Sequence, residues 1–334
     1  MKQLKLMSKS IKMRNIIPDN QFESEMEQKI LPCLQLICQS GYIPVTKTGG
    51  TLYYEAYRPE NPIGAVVISH GFCESAEKYK EVIYYFTFAG YEVYLAEHRG
   101  HGRSFRETTH PNMVHISDFN SYVNDFHAFI CKIVKPLSKG IPLYLYAHSM
   151  GGAIGALYLE TYPDTFLKAV LSAPMLAIST RPLPVPCARA LGRLMTSLHR
   201  DAAYAPGQHA FVPGRKFEDS CSSCPERFHY YQKKKEAFPL FQNSGSSYGW
   251  TYHALNACRF ITQKRNCEKI EVPILVFRSV NDGVVEPSGI FRFVKNTPSA
   301  RLINVEECRH EIYNSSVFVL ESYYQKIFNF LTET

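Results

Sequence analysis

Short runs of β-branched and aromatic residues recur along this chain, and segments of helical length separate most of them. The runs fall at 51–57, 65–69, 92–96, 143–147, 169–172, 274–277 and 302–305, and the helical segments at 76–89, 118–134, 151–160 and 317–331. Strands that alternate with helices need crossover connections, and crossovers cover both faces of a mainly parallel sheet. The predicted fold class is therefore α/β, a mostly parallel central sheet flanked by helices. The tyrosine-rich run at 51–57 is followed closely by the next run, which suits an antiparallel edge strand. With 334 residues, 45% of them hydrophobic, the chain is long enough to bury a sizeable core and is neither disordered nor fibrous.

The alternation stops between about 174 and 272. Prolines cluster at Pro182, Pro184 and Pro186, and aromatic residues recur at Phe211, Phe228, Tyr230, Tyr231, Phe238, Phe241, Trp250 and Phe260, yet no buried strand is evident. Roughly 100 residues are too many for a plain loop. The expected organisation is an N-terminal extension (1–50), a first part of the core (51–173), an inserted, mainly helical cap or lid (174–272) and a second part of the core (273–334).

Ser149 carries the clearest chemistry. It follows the apolar run 143–146 and opens a helical pattern, the strand–turn–helix context of a nucleophile elbow. Ala147 and Gly151, small residues two before and two after it, let the backbone turn sharply and push the hydroxyl outward. Ala147 misses the strict G-x-S-x-G pattern by a methyl group. The segment 245–249 satisfies that pattern letter for letter around Ser247, but no buried strand precedes it and it lies within the cap, so it is expected to be a turn.

A serine hydroxyl needs a base, and the base needs an acid to hold its tautomer. Asp282 stands just past the run 274–277, where open α/β sheets place their active sites. His310 is the only one of twelve histidines beyond it, after the run 302–305. The gap of 28 residues has room for one helix and one strand. An oxyanion formed at Ser149 would need donors: Met150 N–H, next after the nucleophile, and Phe72 N–H, in the loop after the run 65–69 where Gly71 allows close backbone approach. His70, Gly71, His148 and Gly151 are the expected supporting residues around these groups.

From about Thr51 onward these residues resemble the α/β-hydrolase superfamily, and more narrowly its lysophospholipase and monoacylglycerol lipase-like branch. Beside His70, Gly71, Ser149, Asp282 and His310, the resemblance rests on Glu74 and Ser75 with Lys78 and Tyr79, on the segment 98–104, and on Phe119, Tyr122 and Asp125. In the cap, 225–228 and 248–250 are similar to stretches of bacterial lysophospholipases. Two positions depart from the branch: Glu97 stands where it has Asp, and Ala147 where it has Gly. The resemblance implies an acyl-serine intermediate hydrolysed by water, with His310 acting first as base and then as acid, and needing no metal and no organic cofactor. His98, His101 and His148 are then structural or pocket-lining. The implied substrate is an ester of a single-chain lipid, a lysophospholipid or monoacylglycerol, and the aromatic cap suits an acyl chain. The alternatives are small esters, thioesters or N-terminal peptide bonds on the same three residues, or a non-catalytic ligand- or partner-binding protein. The last class usually lacks one of the three.

The formal charge of +7 is misleading. Lys2, Lys5, Lys9, Lys12 and Arg14 precede the first acid, Asp19, and the rest of the chain holds 32 basic against 30 acidic residues, which is no nucleic-acid footprint. The basic arm, interleaved with Leu4, Leu6, Met7, Ile11 and Met13, is compatible with peripheral contact at an anionic membrane surface, or with simple disorder. It has no apolar core of a signal peptide behind it, so a cytoplasmic chain with ten reduced thiols is expected. Cys221 and Cys224 form the only CxxC pair, with no second pair for zinc. No run approaches 18 apolar residues, so no transmembrane segment is expected.

Overall fold

The computed structural model describes residues 16–46 and 49–333. Eight strands form one sheet: β1 (Cys38–Pro44), β2 (Thr51–Tyr57), β3 (Gly64–Ser69), β4 (Tyr91–Ala96), β5 (Leu143–His148), β6 (Lys168–Ser172), β7 (Ile274–Ser279) and β8 (Ala300–Val305). Their order is β1-β2-β4-β3-β5-β6-β7-β8. The pairs β1–β2 and β2–β4 are antiparallel, and the others are parallel. Every residue of β3, β4, β5 and β6 is buried, as expected of central strands covered on both faces.

Successive side chains of the strands enter opposite cores. Val67, Leu145 and Ala147 face a core shared with the helices α2 (Asn120–Phe129) and α3 (Met150–Thr161). Val66, Ile68, Tyr144 and Tyr146 face a second core, closed by α1 (Lys80–Phe88) and the C-terminal helix Val317–Thr332.

The sheet starts earlier than the sequence pattern suggests. Residues 38–44, inside the expected extension 1–50, form the edge strand, and 51–57 is the second strand, antiparallel on both sides. The physical reason is that β1 buries only Ile43 and carries Gly41 and Pro44, so it lacks the alternating apolar signature of a strand. Helical turns over 22–37 lead into it and bury Phe22, Met26, Ile30 and Leu34 in the second core. The described part of that stretch therefore lies against the core. The basic arm from Lys2 to Arg14 lies outside the described residues.

Between β6 and β7 no strand of the sheet occurs. This stretch holds α4 (Val185–Ser197), α5 (Pro225–Ala237) and α6 (Tyr248–Ile261). Helix α6 sends Trp250, Ala254, Ala257, Cys258 and Ile261 into the same core as α3, so this helix is rooted in the sheet's own packing. Beyond β7, α7 (Pro287–Asn296) precedes β8 and α8 (Val317–Thr332) ends the fold.

Strand order reverses at β3, which lies between β4 and β5. Such a switch point opens a crevice at the carboxyl ends of the strands. The register brings the ends into line: Ser69 pairs with Ala147, His148 with Ser172 and Ser172 with Phe277. The loops after β3, β5, β7 and β8 thus emerge side by side.

Candidate active site

β5 ends at His148 and α3 begins at Met150, so Ser149 alone makes the turn. Its φ of 53° and ψ of −119° lie where a non-glycine residue goes only when its surroundings enforce it. The enforcement is visible. Ser149 N donates to Ser172 O at 3.1 Å, and Ser149 O accepts from Met175 N at 2.8 Å. A Cβ on Gly151 would stand 2.0 Å from Ser69 O, and one on Gly152 2.6 Å from Pro174 Cβ, so the helix start presses directly on its neighbours.

Ser149 Oγ lies 2.8 Å from His310 Nε2, and His310 Nδ1 lies 2.7 Å from Asp282 Oδ2. The other Asp282 oxygen accepts from Val284 N at 2.8 Å and Val285 N at 3.0 Å. Burial pushes this carboxyl up, but the hydrogen bond and charge of His310, with the two amides, hold it below its ordinary value. An ionised Asp282 keeps the proton of His310 on Nδ1 and leaves Nε2 able to accept from the serine. The three residues expected from the sequence are therefore one hydrogen-bonded chain.

The amide of Met150 is in the first turn of α3, where no intrahelical acceptor exists. Among the described residues neither it nor Phe72 N–H has an acceptor. The Gly71 amide is committed, donating to Glu74 Oε2 at 2.6 Å. His70 shapes this loop. Its Nε2 accepts from His98 N at 2.8 Å, which leaves Nδ1–H to donate to Gly71 O at 2.8 Å. Burial pushes His70 and His148 down to about 4, so both are neutral at pH 7. His148 Nδ1 lies 3.1 Å from Ser172 O.

The two departures from the branch pattern are each absorbed by a glycine. A Cβ on Gly155, one turn into α3, would lie 3.2 Å from the Ala147 methyl, so the missing side chain there makes room for that methyl. A Cβ on Gly102 would lie 2.2 Å from Glu97 Oε2, so the longer acid occupies that space. The buried Glu97 accepts from Ala76 N at 3.1 Å and from the Arg103 guanidinium at 3.2 Å, and burial raises its pKa against the pull of Arg103.

Ser247 is a different kind of residue. It is wholly buried, its Oγ accepts from Trp250 N at 2.9 Å as the cap of α6, and it lies 2.8 Å from His115 Nδ1. The literal G-x-S-x-G is a helix cap.

Ser149 and His310 open onto a cavity of about 330 Å³. Phe72, Phe228, Tyr231 and Val284 supply its apolar surface; Phe241 and Trp250 are buried elsewhere, and Phe238 and Phe260 are exposed. Its two acids are already engaged. Glu74 accepts from Tyr79 and Tyr313 hydroxyls at 2.6 Å each and from Lys78 at 3.2 Å; Glu311 accepts from Lys78 at 2.5 Å and from Asn314 at 3.0 Å. Burial opposes the charge on both carboxyls, and Lys78 in particular holds both below their ordinary values.

Sequence reasoning missed Glu311, Arg215 and Lys235 in this lining. The lysine run 233–235 divides: Lys233 pairs with Glu23 at 2.9 Å, Lys234 with Glu77 at 2.8 Å, and Lys235 turns into the cavity. Phe228, Tyr231, Gln232 and Lys235 line one face of α5 at helical spacing, a periodicity that marks the inward side. All ten cysteines are free thiols. No group of three or more His, Cys, Asp or Glu fit to hold a metal occurs among the described residues, and no helix among them is long and apolar enough to cross a membrane.

A strained serine between β5 and α3, at the switch point of a mostly parallel eight-stranded sheet, defines an α/β hydrolase fold. The chain belongs to the serine aminopeptidase S33 family of hydrolases, whose model matches residues 60–316. It is 28% identical over 261 residues to the probable lysophospholipase L2 of Haemophilus influenzae, covering 78% of this chain and 81% of that one. It is 39% identical over 125 residues to lysophospholipase L2 of Escherichia coli, 37% of this chain and 36% of that one. The crystal structure of the Paleococcus ferrophilus monoacylglycerol lipase shares the fold, with a TM-score of 0.64 at 23% identity over 84% of this chain and 98% of that one.

Proposed function

We propose that this chain is a serine hydrolase that cleaves the carboxylic ester of a single-chain lipid through an acyl-serine intermediate. The observation that carries the reading is His310 held between Ser149 Oγ and Asp282 at the floor of an open cavity. Ser149 attacks the ester carbonyl as His310 Nε2 takes its proton. Met150 N–H and Phe72 N–H receive the oxyanion, and the α3 N-terminus favours the same charge. His310 then protonates the leaving alcohol, activates water against the acyl-serine and returns the proton to Ser149. Asp282 stabilises the imidazolium throughout. His70 and Gly71 shape the oxyanion loop, while His148 and Gly151 hold the elbow.

The family's name raises a second reading, cleavage of an N-terminal peptide bond. Recognition of a substrate ammonium calls for a carboxylate free to receive it. Both cavity acids, Glu74 and Glu311, are already saturated by Lys78, tyrosine and asparagine donors, which favours the ester. The similarity to lysophospholipases adds support for a lipid.

The test is product release from lysophosphatidylcholine, monoacylglycerol, a short nitrophenyl ester and an aminoacyl amide, measured side by side. Fatty acid release from the lipids is expected, with Ser149→Ala at least 10³-fold slower and no longer labelled by a fluorophosphonate. Preference for the amide would overturn the lipid assignment, and full activity in Ser149→Ala would overturn the mechanism.

A further inference from the structure

The charged groups around the cavity fall into two sets. Lys78, Glu74 and Glu311 satisfy one another deep in the wall. Arg215 and Lys235, brought in by the cap, do not take part. Lys235 donates to Asn243 O at 2.9 Å, and Arg215 Nη2 donates to Asp219 O at 2.5 Å. Both acceptors are neutral carbonyls, and neither cation has an ion pair among the described residues.

The other cations of α5 are paired: Arg227 with Glu81, Lys233 with Glu23 and Lys234 with Glu77. Glu74 and Glu311 on the same lining are held by Lys78, and among the described residues no acid pairs with Arg215 or Lys235, so an anion between the two would complete them. Burial depresses the Lys235 ammonium, and the Lys78 and Arg215 charges act in the same direction, against opposing pulls from Cys73 and Glu311. Gln208 lines the same space and uses only its Oε1, which accepts from Ser246 N at 3.2 Å, so its amide group remains as a neutral donor.

We propose that Arg215 and Lys235 form an anion subsite for the phosphate of the substrate's head group, selecting lysophospholipids over neutral monoacylglycerols. The inference rests on the ester-hydrolase reading and sharpens it. The phosphodiester supplies the negative charge that these two cations lack, and guanidinium and ammonium donors both suit its oxygens. With a monoacylglycerol in the same cavity both cations stay unpaired, so the neutral head group forfeits that attraction. Arg215 and Lys235 act on binding of the leaving portion and make no contact with the reacting carbonyl, so their effect belongs in KM more than in kcat.

The experiment compares kcat/KM for lysophosphatidylglycerol and for a monoacylglycerol of the same chain length, each diluted in neutral detergent micelles. The wild-type protein is expected to favour the phospholipid at least tenfold. Arg215→Gln and Lys235→Gln should each lower that ratio fivefold or more, mainly through KM, and Lys235→Arg should restore most of it. Lys326→Gln, which removes the same charge from an exposed turn of α8, should leave the ratio unchanged and so separates the subsite from general attraction to an anionic micelle. The deacylated head group glycerophosphoglycerol should compete more strongly than inorganic phosphate. A ratio that is the same in wild type, Arg215→Gln and Lys235→Gln overturns the subsite while lipid hydrolysis stands. Equal competition by inorganic phosphate assigns the cations to a free anion and overturns the head-group reading. Cleavage of the aminoacyl amide alone would remove the ester reading itself and this proposal with it.

Discussion

A methyl group at position 147 and a methylene in the side chain at position 97 show how single atoms are accommodated beside a strained turn. Ala147 lies under Gly155, and Glu97 fills the space a side chain at Gly102 would take. Packing beside this turn has little slack, because interiors are as dense as organic crystals. Gly155→Ala is therefore expected to cost about 1–3 kcal/mol by overpacking against Leu145 and Ala147. In an Ala147→Gly background the same change should cost about 1 kcal/mol less. Urea denaturation of the four proteins measures the coupling, and strictly additive costs would show that the two sites do not share the space. Ser149, Asp282 and His310 were legible in the sequence because each follows a recognisable strand and the chain order is that of this fold. Glu311, Arg215 and Lys235 were not, since nothing local distinguishes a cavity-facing charge from a solvated one.

Among elements, the helical turns over 22–37 and the cap helix α5 are the pair whose relation was hidden. Arg227, wholly buried, ties them together. Its Nη2 donates to Glu81 of α1 at 2.8 Å and to Ile17 O at 3.0 Å, Nη1 reaches Asp19, and the guanidinium lies 4.6 Å from the Phe22 ring centre. Asp19 in turn accepts from Val317 N at 3.1 Å, at the start of α8. Core, cap and N-terminal segment thus meet on one side chain. Arg227→Ala leaves Glu81 buried without its cation, so a loss of about 3–5 kcal/mol is expected. Chemical denaturation measures it, and limited proteolysis should then cut within 16–37. Lysine should not rescue, because it lacks the fork that engages Glu81, Ile17 and Asp19 together. A variant as stable and protease-resistant as wild type would refute this role. The edge strand β1 was invisible for a related reason: its pairing with β2 is made of backbone hydrogen bonds, which no side-chain pattern advertises.

The whole molecule sets a pH response far from the cavity. Glu160 lies near the C-terminal end of α3, the end away from Ser149, with both carboxyl oxygens buried and unpaired among the described residues. Burial raises its pKa from 4.5 to about 8, against a weak opposing pull from Lys269. The neutral form is thus favoured in the folded chain. Its contribution to stability is fully present below pH 4.5, falls as pH rises toward about 8, and is flat beyond. Glu160→Gln should match wild type near pH 5 and exceed it by a few kcal/mol at pH 8. Thermal or urea unfolding at both pH values tests this, and a difference that does not grow with pH would refute it. By itself the sequence determined the succession of strands and helices that flank Ser149, the serine between strand and helix, and the aspartate and histidine that follow later strands. These are local matters: periodicity records which face is buried, and a turn between strand and helix needs small residues nearby. Only the tertiary structure decided that Lys78 would meet Glu311, 233 residues away, as well as Glu74, and so hold both of the cavity's acids. It also decided that Arg215 and Lys235 would face the same cavity as Ser149 with no ion pair among the described residues. Such neighbours depend on where long connections set the cap against the sheet, and that placement comes from packing the whole chain at once.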